Sequence, residues 1–270
     1  MTEQLGALDP YDLPPPPAPK PETLPILFQD DDYVAVHKPP GLLVHRSELA
    51  READTAALQI VRDQIGMHLF PVHRLDRPTS GVLIFALSKE AAQAFVDGLT
   101  HKTVEKEYWA IARGWIHDAV DLDSALDKNQ VYPPSNKNHL EPKLQEAITQ
   151  FRPGLTCELN IPVRPYDTAR YSLVKASPKT GRTHQIRRHL ARLRHPIIGD
   201  TRYGDGPHNL MYRERFKCYR LLLAAVSLDF THPRTGSKTR IFAEPSEDFG
   251  EVAQQLFGSD VYKKFCRQLS

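Results

Sequence analysis

The chain has 270 residues, of which 40% are hydrophobic and 25% charged, a composition ordinary for a globular protein with a sizeable core. Its 35 basic and 33 acidic side chains leave a net charge of only +2, so partners must be inferred from how charge is distributed. Three dispersed cysteines (Cys157, Cys218, Cys266) form no CxxC pair, so we expect neither disulfides nor a cysteine-paired zinc site, and we expect a reducing cytoplasm. We find no secretory signal and no apolar run of about 18 residues, and therefore expect no membrane span.

Eight prolines crowd residues 1–25 and predict a disordered, extended tail, followed by one folded domain over residues 26–270. Hydrophobic periodicity and turn residues then predict the first elements of that domain. These are strands at 26–28 and 33–36, a helix at 54–66 ending at Gly66, a strand at 82–87, and a helix at 89–99 capped by Ser88.

The second half of the chain is predicted to be richer in strands. Residues 117–142 are polar and irregular, and we expect 117–165 to be an insertion or loop region. Neighbouring strands with interspersed helices predict an α+β domain with a mainly antiparallel sheet. The elements predicted here are strands at 108–112, 147–151, 157–161, 171–176, 225–230 and 239–243, a helix at 183–194, and a helical segment at 247–268.

The segment HRLDRPTSG at residues 73–81 lies between a predicted helix and a predicted buried strand, where loops carry reactive groups. Arg74 and Arg77 bracket Asp76, and nearby cations favour an ionised carboxylate that can act as a nucleophile. From the residues alone, an Asp that caps local backbone donors in a turn is an equally good interpretation.

Residues 175–194 contain seven Lys or Arg side chains and no acid. Ile186, Leu190 and Leu193 form an apolar stripe on the predicted helix, so another face presents cations and imidazoles. That combination, with the free N–H groups of a helix N-terminus, suits an RNA backbone. A solvated basic helix face is the alternative.

Two further segments are less specific by themselves. Strand alternation sends Tyr108 and Trp109 to opposite faces, so that Tyr108 is free to stack on a base or transfer a proton, although core packing is the simpler interpretation. Residues 38–45, KPPGLLVH, are typical of a strand end followed by a tight turn.

Four segments in this order, KPPGLLVH at 38–45, HRLDRPTSG at 73–81, KTGRTHQIRRHL at 179–190 and HPIIGD at 195–200, resemble the RluA-type pseudouridine synthases. The resemblance extends from about residue 26 to residue 243. It implies the pseudouridine synthase catalytic fold, with a mainly antiparallel mixed sheet, flanking helices and a central RNA-binding cleft. It also implies an isomerase that detaches uracil from ribose, rotates it and rejoins it through carbon, without cofactor or metal.

The resemblance also implies residue roles. Asp76 is the expected nucleophile, Tyr108 is expected to stack on the base and transfer protons, and Arg187 is expected to pair with the carboxylate. Arg74 is expected to fill the space left by the flipped nucleotide. The remaining expected contacts are Arg77, Lys179, Arg182, His184 and Arg188 with RNA, and Leu221 and Leu223 with uracil. One departure is Ala224, which stands where relatives often carry His.

The amino-acid sequences of residues 44–47, 73–83 and 187–200 are most similar to those of family members that modify uridine 65 in the T-stem region of tRNA, so tRNA is the expected partner. A synthase acting on ribosomal RNA and a non-catalytic RNA-binding protein on the same fold are the alternatives. A metal-dependent hydrolase is disfavoured because His184, His189 and His195 form no HExxH pair, and a glycosidase because no second acid accompanies Asp76. We expect a monomer without an obligate protein partner.

Overall fold

The computed structural model describes residues 21–45, 56–129, 141–163 and 165–267. They contain six helices and twelve strands, none of the helices being long and apolar enough to cross a membrane. The helices are α1 (Ala57–Ile65), α2 (Lys89–Thr100), α3 (Gln185–Arg192), α4 (Gly206–Phe216), α5 (Glu247–Phe257) and α6 (Ser259–Arg267). The strands are β1 (Ile26–Gln29), β2 (Tyr33–Lys38), β3 (Phe70–Pro71), β4 (Ser80–Ala86), β5 (Glu105–Arg113), β6 (Val120–Asp123), β7 (Leu126–Asp127), β8 (Leu144–Gln145), β9 (Ile148–Leu159), β10 (Ala169–Pro178), β11 (Leu223–Thr231) and β12 (Lys238–Phe242).

Ten of these strands form one sheet in the order β1-β2-β4-β11-β5-β10-β9-β6, with β3 paired to β4 and β12 paired to β11. The β4–β11 pair is parallel, and the other pairs described are antiparallel. The predicted α+β class with a mainly antiparallel mixed sheet is therefore confirmed. β11, from the last fifth of the chain, lies in the middle of the sheet between β4 and β5.

The two faces of the sheet bury different side chains. Tyr108 belongs to an apolar cluster with Ile186 and Leu190 of α3, whereas Trp109 packs in a second cluster with Phe249 of α5 and Phe265 of α6. This is the separation that alternation along β5 predicts, since successive strand side chains point to opposite faces. α3 and α5–α6 therefore flank opposite faces of the sheet.

Several local predictions are confirmed. The hydroxyl of Ser88 accepts a hydrogen bond from the N–H of Ala91 and caps α2. Gly66 ends α1 in the left-handed conformation, at φ 70°. β4 is buried at all seven positions, Ser80–Ala86, as a central strand requires, and Leu87 at the end of the predicted apolar run is half-buried.

Other predictions are wrong at their boundaries. Within the predicted tail, Leu24 is buried and exchanges two hydrogen bonds with the side chain of Gln64, so ordered packing begins before residue 26. Residues 120–123 form β6, where irregular chain was expected. The strands predicted at 147–151 and 157–161 are one strand, β9, which passes Pro153 at a register shift against Leu173 and Val174 of β10.

Towards the C-terminus, one helix was not predicted and two others were predicted as a single helical segment. α4 has no counterpart among the predicted elements. The helical segment predicted at 247–268 is divided at Gly258, with φ 88°, into α5 and α6. Predicted features at residues 1–20, 54–55, 130–140 and 268 lie outside the described residues.

Candidate active site

A cavity of about 300 Å³ opens on the α3 face of the sheet, with Leu223 of β11 and Tyr108 of β5 in its wall. This volume is at the small end for ligand sites and suits one base rather than folded RNA. The structure brings eight of the predicted site residues together around the cavity: Arg74, Asp76, Tyr108, Lys179, Arg182, His184, Arg187 and Leu223.

A buried lysine holds the loop that carries Asp76. The ammonium group of Lys38, which is 0% exposed, donates to the carbonyl oxygens of Pro39, Leu42 and Arg77 at 2.8 to 3.1 Å. The N–H of Gly41 also donates to the carbonyl of Arg77. The KPPG turn and the loop at 73–81 are therefore one structural unit, although residues 42–72 separate them in the sequence.

The cation that contacts the Asp76 carboxylate is Arg187. Nη1 of Arg187 lies 3.2 Å from Oδ2 of Asp76, and Arg187 is almost fully buried. Arg77, predicted to bracket the carboxylate, instead donates from Nε to the carbonyl of Gly41, and Arg74 is exposed at the cavity wall. Among the described residues, the Asp76 carboxylate is thus held by a distant arginine, which disfavours the interpretation of Asp76 as a turn-capping residue.

Arg187 has a second carboxylate partner, which sequence reading did not assign. Its Nε and Nη2 donate to the two carboxylate oxygens of Asp200, both at 2.8 Å. Burial favours the neutral acid at Asp200, but the hydrogen bonds and charge of Arg187, together with the N–H groups of Arg202 and Tyr203, hold the pKa of Asp200 below its ordinary value.

Tyr108 also lines the cavity, with Lys106 two residues before it on the same strand face. Burial, and then the negative charge of Asp76, raises the pKa of the Tyr108 hydroxyl, so this group is protonated in the resting protein. Burial lowers the pKa of Lys106. Burial, followed by the charge of Lys106, lowers the pKa of His73 to about 3, and Nε2 of this neutral ring accepts the N–H of Ile84 at 3.2 Å.

His184 enters the cavity wall from a strained backbone position immediately before α3. Its φ of 54° is unusual for a residue with a Cβ. Nδ1 of His184 is 3.0 Å from the hydroxyl of Tyr203, and burial lowers the pKa of His184 to about 4 despite the opposing charge of Asp76. His184, which was predicted to contact RNA, is therefore a neutral imidazole at neutral pH.

The basic loop before α3 is fastened to the sheet by Gln185. Its amide nitrogen donates to the Ile148 carbonyl and to the Thr149 hydroxyl, and its Oε1 accepts from the Thr180 hydroxyl and the Arg182 N–H. This anchoring holds the loop at the cavity wall. The wall includes Lys179 and Arg182, the latter donating from Nε to the carbonyl of Glu146.

Three predicted residues lie elsewhere in the described structure. Arg77 is exposed beside Gly41, and Leu221 is buried in the core without lining the cavity. Arg188, predicted to contact RNA, lies away from the cavity: it is only 8% exposed and donates to the carbonyl of Asp127. The reason is helical geometry, since successive side chains along a helix differ in direction by about 100°. Ala224 is fully buried in the cluster on the opposite face, away from the cavity.

The cavity wall also contains residues with no assigned role, including Thr79, whose buried hydroxyl has no hydrogen-bond partner among the described residues. Lys106 could have been found from the sequence, because strand residues two apart share a face and Lys106 is two residues before Tyr108. Asp200 lies in the HPIIGD segment, but the resemblance of that segment to the family did not indicate its partner. In the described ranges, no three His, Cys, Asp or Glu side chains come together as a metal site.

Residues 32–192, more than half of the chain, match the sequence profile of a family described as RNA pseudouridylate synthase. The chain belongs to this family. It is 47% identical over 234 residues to tRNA pseudouridine synthase C of Vibrio vulnificus (strain CMCP6), a match that covers 87% of this chain and 94% of the relative. It is likewise 47% identical over 235 residues to tRNA pseudouridine synthase C of Salmonella typhi, covering 86% and 90% of the two chains.

A solved structure agrees with this assignment. Human RNA Pseudouridylate Synthase Domain Containing 1 superposes with a TM-score of 0.65 at 25% identity, over 84% of this chain and 86% of the human chain. The predicted pseudouridine synthase fold is therefore confirmed. As an RNA pseudouridine synthase, the protein is an isomerase that converts uridine to pseudouridine in RNA.

Proposed function

We propose that this synthase isomerises a uridine of tRNA, at position 65 in the T-stem region, with Asp76 as the nucleophile. The observation that carries the proposal is the contact between Asp76 and Arg187 inside a cavity of base size. A carboxylate fixed by a buried guanidinium is ionised and oriented before the substrate arrives.

The target nucleotide must leave its helix, because a stacked uridine hides the glycosidic bond from a side chain. Arg74 is exposed at the cavity wall, where it is able to fill the space that the flipped nucleotide leaves. Asp76 then forms a transient covalent bond to the nucleotide, and the N1–C1′ bond breaks. The detached uracil rotates and C5 bonds to C1′, while the bond between Asp76 and the nucleotide breaks and the carboxylate is regenerated. C5 then releases its proton and N1 gains one, so substrate and product contain the same atoms.

Tyr108 is suited to two roles in this sequence. Its ring offers a stacking surface for uracil, and its hydroxyl, which retains its proton, is able to donate a hydrogen bond to the base as charge develops. Leu223 adds an apolar wall for the ring. The cavity thus has a nucleophile, a proton donor and an apolar surface for one base.

The choice of tRNA is supported by the relatives named tRNA pseudouridine synthase C, which align over most of both chains. Basic side chains in the wall, Lys179 and Arg182, suit phosphates on either side of the flipped nucleotide. We also propose that the protein is a monomer and that it acts in the cytoplasm. The three free cysteine thiols agree with a reducing compartment.

The deciding experiment is a pseudouridine map of total tRNA and ribosomal RNA by chemical labelling and primer extension, with the gene present and deleted. We expect one tRNA signal, at uridine 65, to disappear on deletion and to be restored by the wild type. Asp76→Asn should bind tRNA with nearly unchanged affinity and fail to restore the signal, whereas Asp63→Asn, at an exposed site on α1, should restore it.

Loss of a ribosomal signal instead of the tRNA signal would retain the chemistry and contradict the tRNA proposal. Restoration by Asp76→Asn would contradict the assignment of the nucleophile. An unchanged map of both RNAs would favour a protein that binds RNA without modifying it.

A further inference from the structure

Arg187 lies between two carboxylates that it contacts in different ways. Two of its nitrogens meet both oxygens of Asp200 at 2.8 Å, and one nitrogen meets a single oxygen of Asp76 at 3.2 Å. A two-pronged pair fixes the plane of the guanidinium, whereas a single longer contact does not. The orientation of Arg187 towards Asp76 is therefore set by Asp200.

Asp200 is itself rigidly held. Its Oδ1 accepts the N–H groups of Arg202 and Tyr203 at 2.9 and 3.1 Å, and its backbone carbonyl accepts the side-chain amide of Asn209 in α4. The same Asn209 accepts the N–H of Gly199. A Cβ on Gly199 would lie 1.8 Å from the Arg220 carbonyl oxygen, so the turn before Asp200 is pressed against neighbouring backbone.

The guanidinium of Arg187 also lies against an aromatic ring. The ring of Tyr203 lies 5.3 Å from Cζ of Arg187, and the hydroxyl of Tyr203 meets Nδ1 of His184 in the cavity wall. Because Asp200 also accepts the N–H of Tyr203, the same carboxylate holds both the Arg187 guanidinium and the residue whose ring lies against it.

The charges of the three groups have a further consequence. Asp200 neutralises Arg187, so the set of Asp76, Arg187 and Asp200 retains one negative charge. Without Asp200, the full positive charge of Arg187 would face Asp76 alone, and a carboxylate held by an uncompensated cation is a weaker nucleophile.

We propose that Asp200 is a positioning residue for the reaction: it fixes and neutralises Arg187, so that the Asp76 carboxylate is oriented without losing its reactivity. The proposal rests on the assignment of Asp76 as nucleophile. Asp200 does not line the cavity and is not hydrogen-bonded to Asp76 in the described structure, so it acts through Arg187.

The test measures single-turnover release of tritium from tRNA labelled at uridine C5, together with tRNA affinity and thermal unfolding. Asp200→Asn, which keeps the shape but removes the charge, should lower the rate constant on the order of 100-fold, while tRNA affinity changes by less than about two-fold. Asp205→Asn is the matched control, since Asp205 caps α4 and pairs with Arg113 but does not contact Arg187. It should retain the wild-type rate.

A double-mutant cycle distinguishes positioning from general support of the fold. In an Arg187→Met background, adding Asp200→Asn should change the rate by less than about two-fold, because the residue through which Asp200 acts is gone. Multiplicative losses would overturn the proposal, as would a folded Asp200→Asn protein with the wild-type rate.

If Asp200→Asn does not fold, Asp200→Glu replaces it, because it keeps the charge and displaces Arg187 by one methylene. A loss of about ten-fold with unchanged tRNA affinity is then expected, and the wild-type rate would overturn the proposal. Asp76→Asn is measured in parallel. Turnover by Asp76→Asn would contradict the proposed function. If Asp76→Asn is inactive and Asp200→Asn is fully active, only the role of Asp200 is contradicted.

Discussion

Gly81 lies so close to Ala225 that a methyl group on its Cα would come within 2.0 Å of the Ala225 carbonyl oxygen. The two residues are partners in the β4–β11 pair, the parallel contact of the sheet. Gly81 also has a φ of 111°, which residues with a Cβ rarely adopt. The glycine that ends the HRLDRPTSG segment thus allows the strand after the Asp76 loop to join β11.

Gly81→Ala should therefore destabilise the protein by about 3 kcal/mol or more, since the obstructing atoms are backbone and cannot rotate away. Gly181→Ala is the control, because a Cβ there meets nothing within 4 Å. Chemical denaturation should find Gly181→Ala within about 0.5 kcal/mol of the wild type. Equal stability of the two variants would contradict the close approach at Gly81.

Tyr108→Phe should separate stacking from proton transfer. The ring remains for the base, but the hydroxyl that keeps its proton is lost. We expect turnover to fall about 10² to 10⁴-fold while tRNA affinity changes little. Tritium release gives the rate and filter binding gives the affinity. The exposed Tyr219→Phe serves as control, and a fully active Tyr108→Phe would exclude the hydroxyl from the chemistry.

Affinity for tRNA should fall steeply with salt if the basic wall of the cavity contacts phosphates. Arg182→Ala should reduce the slope of log affinity against log salt by about 0.9, the effect of one lost phosphate contact. Lys263→Ala, on α6 at the opposite face, should leave the slope unchanged. A slope that is flat in the wild type would show that the loop before α3 is not the RNA surface.

His73 should contribute to loss of stability in acid. Burial lowers its pKa from 6.5 to about 3, so between these pH values the unfolded chain binds a proton that the folded protein does not. Stability from this group is complete above pH 6.5 and is lost as the pH falls towards 3. His73→Gln keeps an acceptor for the Ile84 N–H, and in denaturation experiments its free energy of unfolding should decrease less between pH 6.5 and 4 than that of the wild type. The free energy of unfolding of His68→Gln, changed at an exposed site, should decrease as much as that of the wild type.

Features set by local periodicity were predictable. Alternation along β5 placed Tyr108 and Trp109 in different clusters, and the cap at Ser88 and the stop at Gly66 follow from the local conformational preferences of those residues. The Asp76–Arg187 pair, 111 residues apart, was expected only through the resemblance of the motifs to a family.

Features set by tertiary contacts were not predictable. α4 mixes polar and apolar residues around its circumference, and its place depends on contacts such as Tyr212 with Tyr171. Arg188 has the same chemistry as its neighbour Arg187, yet packing against Asp127 removes it from the cavity. Asp200 lies in the HPIIGD segment at 195–200, which resembles the family but does not indicate the two hydrogen bonds to Arg187.

The central place of β11 has a consequence for how the enzyme is made. β11 separates β4, which follows the Asp76 loop, from β5, which carries Tyr108, so both strands depend on a neighbour that the ribosome synthesises more than 100 residues after β5. Until residues 223–231 emerge, the nascent chain cannot bring together the two strands that flank β11 at the cavity, and contacts of such long sequence separation fold slowly. Polypeptides truncated before β11 should therefore be inactive and expose two unpaired strand edges, so a nascent chain in which β11 has not emerged should not modify RNA on the ribosome.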